Sequence, residues 1–457
     1  MIVANNLSGL TEVYLGNESI AQVYYGSHLV WPQDPVYGLK VLLTNDIEET
    51  DSFDCGHKAT PHYNTGSTYD DTTILGRSEI YDLEQSLGSQ TVTAATIGDC
   101  VHTLESGLFA WYNATPYFKH TVGKSIKKVT MSNSVTSLSG GNTFSNCSAM
   151  TSCTLSENIT SIPANTFDGC SRLRSIVIPN GVTSIGNSAF YNCSAVSSFT
   201  IPNTVTEIGE RAFMLCYGHT NINIPNSVTS VGASAFTSNS YATGLTIGSG
   251  LSEIKDYTFS NCNSLKSIVV PNNIRKIYGY AFNGCSSASA ITIGSRCVEI
   301  AGWAFAGCSS ATTVTMGDKV ETIGDYAFNG CTNLQTIRLS ESLDTVGNYV
   351  WAGCLALTSI EFPDSVYSVG YSLFSTNNYS ITSVTFGSGI SVIGGGYGLY
   401  GCRSFTCKAV VPPRLTNSIA FNDDGNWSIY VPSGSVEDYK SNTYWSRYAD
   451  HILPITE

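Results

Sequence analysis

The sequence predicts a β-rich repeat solenoid with little helix, and three observations lead to this prediction. The stretch from Gly302 to Gly317 has near-copies 23 residues before it and 23 residues after it. In each copy apolar and polar residues alternate over three positions, and in most units a Pro or Gly follows, which is the pattern of a short strand that then ends. Only 12% of the residues are charged, and Gly, Ser, Thr and Asn are abundant. This composition suits a neutral, hydroxylated surface better than a helical enzyme.

The repeat can be numbered from the first apolar residue of each predicted strand. Apolar residues then recur at positions 1, 3, 7, 10, 15 and 21, and a Gly at position 11 marks a turn. No unit can enclose these side chains by itself, so each unit must stack on its neighbours and share a continuous core. The spacing is 23 residues, or 24 after the first and eleventh of twelve units, which start at Val129, Cys153, Ile176, Phe199, Ile222, Leu245, Ile268, Ile291, Val314, Ile337, Ile360 and Val384.

A cysteine recurs late in ten of the units, and Asn239 and Asn377 replace it in the other two. Both residue types are small and can hydrogen-bond turn backbone that would otherwise be buried unpaired. Disulfides fit poorly, because the total of 15 is odd and Cβ atoms on adjacent rungs would lie about 4.8 Å apart, beyond the usual ~3.5–4.5 Å. Metal ligands must converge on one point, whereas this ladder is a line. We therefore predict a structural ladder, with disulfide or metal binding as the disfavoured alternatives.

The pattern I-x-I-P-x-S-V-x-x-I-G-x-x-A-F-x-x-C-x-x-L resembles the BspA-like, or Treponema-type, leucine-rich repeats and extends over about Ala95 to Cys407. The tail from Trp427 to Glu457 is similar to the C-terminal capping segment of that family. The resemblance implies a right-handed leucine-rich-repeat superhelix of about 23-residue units with short parallel strands and a C-terminal cap. It also implies a surface adhesion or interaction protein without enzymatic activity.

The N-terminus contains a smaller duplication, in which Val-Tyr-x-Gly occurs twice within residues 1–32. This duplication predicts two short strands joined by a Gly-centred turn. It resembles small modules in structural proteins of tailed bacteriophages, and that resemblance implies a non-enzymatic virion protein, such as a head or tail fibre used in host attachment. Tyr14, Tyr24 and Trp31 are then the candidate anchors to the particle, since large aromatic residues dominate interface energetics. The absence of a recognisable secretory signal at the start agrees with this hypothesis.

We expect four segments: an N-terminal β anchoring module (1–32), an acidic connector or small β-rich segment (33–94), the solenoid (95–407) and the C-terminal cap (408–457). The expected partners are virion structural proteins, a host surface protein or a glycan. The alternative is a BspA-like protein of a bacterial or protist surface that binds host protein or glycan. In the connector, Asp54, Cys55, His57 and His62 form a conceivable metal site, but no second ligand cluster accompanies them. A polar loop is favoured, and we expect neither metal nor cofactor.

One surface feature is regular enough to be a candidate binding site. Position 13 is aromatic in five consecutive units, and stacked rungs would align these residues in a continuous stripe: Tyr257, Tyr280, Trp303, Tyr326 and Tyr349. The favoured interpretation is that each ring packs over its neighbour and shields the convex side. The alternative is a platform for sugar rings or for another virion subunit. On the strand face, position 2 predicts a neutral row of hydroxyl groups at Thr130, Thr154, Thr200, Thr246, Thr292, Thr315 and Thr385.

Several functional classes are disfavoured. The formal charge of −13 without a basic cluster argues against a nucleic-acid partner. No apolar run approaches the roughly 18 residues of a membrane span. No phosphate loop, nucleophile elbow or HExxH motif occurs, and the carboxylates of the repeats have the spacing of a solvated face. We therefore expect no enzyme. No heptad pattern specifies a trimer, although the sequence allows a homo-oligomer.

Overall fold

The computed structural model divides the chain into two compact units, Met1–His219 and Thr220–Glu457, here called unit 1 and unit 2. The structure describes residues 12–15, 23–25, 28–31, 39–43, 74–75, 92–97, 102–104, 106–109, 122–374, 379–396, 398–421 and 425–456. Both units are β-solenoids with parallel strands and little helix, so the predicted fold class is confirmed.

The strands of unit 1 are short because a Pro, a Gly or a turn follows each one. The helix α1 (Val122–Ser125) has a single turn. The strands are β1 (Glu12–Leu15), β2 (Val23–Tyr25), β3 (His28–Trp31), β4 (Leu39–Leu43), β5 (Ile74–Leu75), β6 (Val92–Ile97), β7 (Thr103–Leu104), β8 (Lys128–Met131), β9 (Ser137–Leu138), β10 (Ser152–Thr154), β11 (Ser161–Ile162), β12 (Ser175–Ile176), β13 (Ser184–Ile185) and β14 (Glu207–Ile208).

The parallel strands of unit 1 lie on two sides of the solenoid, here called the first side and the second side. On the first side β6, β8, β10 and β12 pair in order, and Cys153 lies opposite Ile176 one turn later. On the second side the strands form the ladders β5-β7-β9 and β11-β13-β14, in which Ile162 lies opposite Ile185. Side chains alternate in burial along the strands β7 to β14, so their apolar positions point into the space between the two sides.

The N-terminal strands are arranged differently from the predicted hairpin. The strands β1 and β2, which carry the two copies of the duplication, do not pair with each other. Instead β2 forms an antiparallel hairpin with β3, while β1 pairs antiparallel with β4. The strand β4 in turn pairs antiparallel with β6, the first strand of the parallel sheet. The strand β4 therefore lies between β1 and the first strand of the parallel sheet.

Unit 2 continues the same pattern of short strands. Its helix α2 (Val436–Ser441) is flanked by the 3₁₀ helices Ser433–Ser435 and Ser446–His451. The strands are β15 (Asn221–Ile224), β16 (Ser230–Val231), β17 (Gly244–Ile247), β18 (Glu253–Ile254), β19 (Ile268–Val270), β20 (Lys276–Ile277), β21 (Ala290–Ile293), β22 (Glu299–Ile300), β23 (Thr313–Thr315), β24 (Thr322–Ile323), β25 (Thr336–Arg338), β26 (Thr345–Val346), β27 (Ser359–Glu361), β28 (Ser368–Val369), β29 (Ser383–Phe386), β30 (Val392–Ile393), β31 (Gly398–Leu399), β32 (Ser404–Cys407), β33 (Arg414–Leu415), β34 (Ala420–Phe421), β35 (Ser428–Val431) and β36 (Ile452–Pro454).

The longest ladder of unit 2 has eight parallel strands, β18-β20-β22-β24-β26-β28-β30-β33. The opposite side comprises β15-β17, β19-β21-β23-β25 and β27-β29-β32-β35-β36, and β31 pairs with β34. Ile277 lies opposite Ile300, and Ile291 lies opposite Val314. Equivalent residues of successive units are therefore direct neighbours, as the sequence repeat predicts.

A column of phenylalanine rings forms part of the core of each unit. The amide of each Phe donates to a carbonyl one turn later, as from Phe282 to Ala304 at 2.7 Å. The rings are buried, with centroids 5.2–5.4 Å apart in unit 1 and 5.2–5.7 Å apart in unit 2. The columns are Phe109, Phe144, Phe167, Phe190 and Phe213 in unit 1, and Phe236, Phe259, Phe282, Phe305 and Phe328 in unit 2.

The cysteine ladder has the structural role predicted for it. Nine thiols donate to the carbonyl of the Phe one turn earlier, with Sγ–O distances of 3.1–3.5 Å. The Phe167 carbonyl, for example, accepts from the amide of Cys170 and from the thiol of Cys193. Asn239 also donates to a Phe carbonyl through its side-chain amide, but to Phe236 O of its own turn, at 2.9 Å. The 13 cysteines of the described residues are buried and form no disulfide there; Asn377 lies outside those residues.

The C-terminal segment packs against the last turns of unit 2. Trp445 and Tyr439 are fully buried. The indole Nε1 of Trp445 donates to Pro413 O at 2.7 Å, and the Tyr439 hydroxyl donates to Ala409 O at 2.8 Å. The polar atoms of both large side chains are therefore satisfied by backbone, as a capping segment requires.

Candidate functional site

The five aromatic residues at position 13 lie two residues before a buried aromatic residue, which is a Phe in four turns and Trp351 after Tyr349. In each turn the buried Ile or Val that ends the second-side strand comes three residues before the aromatic residue. The amide of that residue donates to the next turn, as from Tyr280 to Gly302 O at 3.2 Å and from Trp303 to Asp325 O at 2.9 Å. Each aromatic backbone is thus held in place by the following turn.

The predicted stripe forms as a stack of rings. Successive centroids from Tyr257 to Tyr349 are 4.7, 5.7, 4.2 and 4.7 Å apart, and the interplanar angles are 5°, 4°, 9° and 12°. Tyr371 then contacts Tyr349 edge-on, with centroids 5.2 Å apart. Tyr371 escaped the sequence analysis because it lies one residue before position 13, where the structure has Ser372. We call these six residues the aromatic stripe.

All five residues at position 13 adopt the left-handed backbone conformation. Their φ angles lie between 55° and 61°, a region that is unusual for bulky residues and costs about 1–2 kcal/mol each. Equivalent turns elsewhere carry the same φ with other side chains, namely Asn142, Asn165, Ser188, Arg211 and Ser234. The turn therefore forms without an aromatic residue.

The stacking of the rings decides what the stripe presents to solvent. Each interior ring has both faces against a neighbouring ring, so only its edge is available. Tyr257 is 41% exposed and Tyr371 is 48% exposed, while the four residues between them are half-buried. Within the described part of the chain, no hydrogen bond involves the hydroxyls of Tyr257, Tyr280, Tyr326 or Tyr349. The stripe is thus a row of ring edges and unengaged hydroxyl groups.

This geometry bears on both interpretations of the stripe. The rings do pack over one another, as the favoured interpretation predicts. A platform for sugar rings requires an accessible aromatic face, and the interior rings of the stack offer none. A contact with another protein subunit does not have that requirement, because ring edges and hydroxyls can both take part in a protein interface.

Charged residues flank the stripe. The ammonium of Lys255 donates to Glu253 Oε2 at 2.5 Å, and Lys276 lies 2.8 Å from Glu299 Oε2. Both ammonium groups also lie 4.6 Å from the centroid of the Tyr278 ring. The hydrogen bond from Lys255 lowers the pKa of Glu253, whereas a general acid of a glycosidase needs a raised pKa.

The other end of the stripe is acidic. Glu321, Asp325 and Asp344 are exposed on the turns that carry Tyr326 and Tyr349. The pKa of the Tyr326 hydroxyl is raised by partial desolvation, by Tyr349 and Tyr371, and by the Asp325 carboxylate. The Asp325 charge therefore acts on the stripe directly.

Other candidates from the sequence are less informative. The backbones of Tyr14, Tyr24 and Trp31 lie in β1, β2 and β3, but their side chains are outside the described residues, as are Asp54, Cys55, His57 and His62. No group of three or more His, Cys, Asp or Glu side chains in the described ranges is arranged to hold a metal ion. The described helices include none that is long and apolar enough to cross a bilayer.

The hydroxyl row of the strand face is present where it was predicted. Thr154, Thr200, Thr246, Thr292 and Thr315 are exposed, and Thr130 and Thr385 are half-buried. The row is interrupted by apolar side chains, since Val177 and Val269 occupy the same position and are 74% and 57% exposed. This face is therefore mixed in character.

Several solved structures are similar to this chain, among them leucine-rich repeat proteins. One from Bacteroides ovatus is 19% identical and covers 81% of this chain and 96% of its own, with a TM-score of 0.43. A leucine-rich cell surface protein from Faecalibacterium prausnitzii is 21% identical over 72% and 91% of the two chains, with a TM-score of 0.40. The pneumococcal vaccine antigen PcpA is 14% identical over 92% and 97%, with a TM-score of 0.39.

No curated protein matches the chain significantly. A family model matches residues 118–219, 183–312 and 279–406, and its description is "BspA type Leucine rich repeat region (6 copies)". The match begins after the N-terminal module, and none of these findings supports the resemblance of that module to phage proteins or a place in a virion. The matched residues make up more than half of the chain, and the chain belongs to the BspA-type leucine-rich repeat family.

Proposed function

We propose that this chain is a non-enzymatic cell-surface protein that binds other proteins through the aromatic stripe. Membership of the BspA-type family supports a role in surface interaction, and it supports the bacterial-surface alternative of the sequence analysis better than the virion hypothesis. The proposed site is on unit 2, and the proposed partner is a protein because ring edges and hydroxyls are presented instead of ring faces.

The observation that carries the proposal is the run of five aromatic residues at position 13. Asn, Ser or Arg forms the same left-handed turn in other units, so the turn itself does not require an aromatic side chain. Holding a bulky side chain in the left-handed region costs about 1–2 kcal/mol, and stacking contributes about 0.5–1.5 kcal/mol per aromatic pair beyond area burial. The stacked rings therefore stabilise one another, and their outward edges and hydroxyl groups support a contact surface.

The test is an adhesion assay with beads that carry the purified full-length chain. The beads are applied to cultured epithelial monolayers and are also observed in suspension. We expect the wild-type chain to promote bead–cell or bead–bead adhesion, and we expect the combined variant Tyr280→Asn/Trp303→Asn/Tyr326→Asn to lose it.

The matched control is Tyr241→Ser, because Tyr241 is a 64% exposed tyrosine of the same unit outside the stripe. This control should adhere like the wild type. Adhesion that is absent from the wild type, or equal in the wild type and the combined variant, would contradict the proposal.

A further inference from the structure

We propose that the stripe binds a second copy of this chain, edge against edge, about a two-fold axis that passes through Trp303. This inference rests on the proposed function, since it identifies the protein that the stripe contacts. Three features of the described residues support it: the order of the aromatic residues, the spacing of their rings and the distribution of charge around them.

The order of the residues is the same in both directions. From Tyr257 to Tyr349 the stripe reads Tyr, Tyr, Trp, Tyr, Tyr, with Trp303 at the centre. A two-fold interface uses the same patch on both copies, so residue i contacts j and j contacts i. With the axis at Trp303, Tyr257 faces Tyr349 of the second copy and Tyr280 faces Tyr326. Within this run of five residues every contact then joins tyrosine to tyrosine or tryptophan to tryptophan, and Tyr371, the sixth residue of the stripe, lies beyond the run.

The spacing of the rings matches another copy better than an extended peptide. The ring centroids are 4.2–5.7 Å apart, which follows the separation of adjacent strands in the solenoid. An extended peptide advances by about 3.3 Å per residue and loses register with such a row. In a second copy related by the axis, the outer spacings match at 4.7 Å, while the inner spacing of 5.7 Å faces one of 4.2 Å. A phenol is both donor and acceptor, so two identical rows of hydroxyls are complementary.

The charges of the inner pair of turns also become complementary under this two-fold axis, whereas in the outer pair Asp256 of the Tyr257 turn faces Asp344 of the Tyr349 turn. The turn of Tyr280 carries Arg275 and Lys276, and the turn of Tyr326 carries Glu321 and Asp325. The axis places the first turn opposite the second turn of the other copy. Lys276 already pairs with Glu299, so the exposed Arg275 is the principal positive charge that faces Glu321 and Asp325. Such complementarity fixes register and rejects parallel alignments, in which like charges would meet.

The first measurement is sedimentation equilibrium of the full-length chain at increasing concentration. We expect a monomer–dimer equilibrium at concentrations up to about 100 µM, as for a modest interface. Trp303→Asn should weaken it at least about tenfold, because the axis makes Trp303 contact its own counterpart and central aromatic residues dominate such interfaces. Tyr241→Ser should leave the equilibrium unchanged. Hydrogen exchange at the Phe column amides checks that each variant is folded.

A second measurement tests the register. In a chain with Cys55→Ser and Cys100→Ser, the buried native thiols are protected, and one new thiol is introduced at a time. Trp303→Cys should form a disulfide between copies under mild oxidation, since the axis places this residue against itself. Tyr257→Cys and Tyr349→Cys should crosslink efficiently only when the two variants are mixed.

The outcomes separate this inference from the proposed function. A wild-type chain that stays monomeric, or rapid crosslinking of Tyr257→Cys with itself, overturns the two-fold contact. If bead–cell adhesion still depends on the stripe in that case, the proposed function stands and the partner is another protein. If neither bead–cell nor bead–bead adhesion depends on the stripe, the proposed function fails as well.

Discussion

Replacing Phe305 by Ala tests whether the Phe column holds unit 2 together. Phe305 is 0% exposed and lies between Phe282 and Phe328, with ring centroids 5.3 and 5.4 Å away and interplanar angles of 3°. The substitution removes the ring from a position where no neighbouring turn can easily move in, because each turn is hydrogen-bonded to the next. A cavity is therefore expected to persist.

The magnitude follows from the size of the lost side chain. Phe-to-Ala substitutions in well-packed cores cost about 3–5 kcal/mol, which includes lost transfer free energy and the residual cavity. Two stacking contacts of about 0.5–1.5 kcal/mol each are lost within that figure. We expect the upper half of the range, since Phe305 contacts a ring on both sides.

Hydrogen exchange is the appropriate assay, because repeat arrays need not unfold in a single step. The amides of Phe282 and Phe305 donate to the carbonyls of Ala304 and Ala327 at 2.7 and 2.8 Å. The free energies for opening these two hydrogen bonds measure the stability of the turns around Phe305. The control is Tyr241→Ser, which should change neither value. If Phe305→Ala lowers these opening free energies by less than about 1 kcal/mol, the claim that the Phe column supports the fold is refuted.

Three further predictions concern the thiols and the two ends of the chain. Burial raises the pKa of the ladder residues Cys262 and Cys402 to about 12, whereas unfolded thiols ionise near pH 8.5. The urea midpoint should therefore fall steadily as the pH rises from about 8.5 to about 12, and an unchanged midpoint at about pH 10 would contradict the burial of the ladder. Trp445→Ala should destabilise the C-terminal segment by about 3–5 kcal/mol and expose it to limited proteolysis, while the control Tyr444→Ala, at an exposed site, should resist proteolysis like the wild type. Deleting residues 1–32 should leave the parallel strands of unit 1 protected from exchange, because β4 pairs with β6 without them; loss of that protection would show that the N-terminal strands are part of the folding unit.

Much of the fold was predictable because the sequence repeat determines which residues form strands and which are buried. Ile at position 10 and Phe at position 15 recur with one spacing, and equivalent residues of adjacent turns are direct neighbours, as for Ile277 and Ile300. The exchange of Cys for Asn239 correctly indicated a hydrogen-bond donor to turn backbone, since both side chains donate to a Phe carbonyl. Such inferences need only the period and the chemistry of small side chains.

Features that depend on backbone conformation or on long-range pairing were not predictable in this way. The repeat showed that the rings of Tyr280 and Trp303 would be adjacent, but the left-handed φ angles and the parallel orientation of the rings are properties of the turn. Tyr371 joins the stripe from a different position because the turn there has another sequence. The N-terminal duplication suggested a hairpin, whereas β1 pairs with β4, a strand outside the duplication.

The most direct test of the central claim is to measure stability and association in one variant. The combined variant Tyr280→Asn/Trp303→Asn/Tyr326→Asn replaces three aromatic residues with a residue that already occupies the same left-handed turn at Asn142 and Asn165. If the stripe exists for binding, this variant should keep the wild-type melting temperature to within about 4 °C and lose both adhesion and dimer formation. A melting temperature lower by more than about 10 °C would show that the stripe is a structural element. A loss of adhesion would then follow from unfolding, and this result would contradict the role of the stripe as a contact surface.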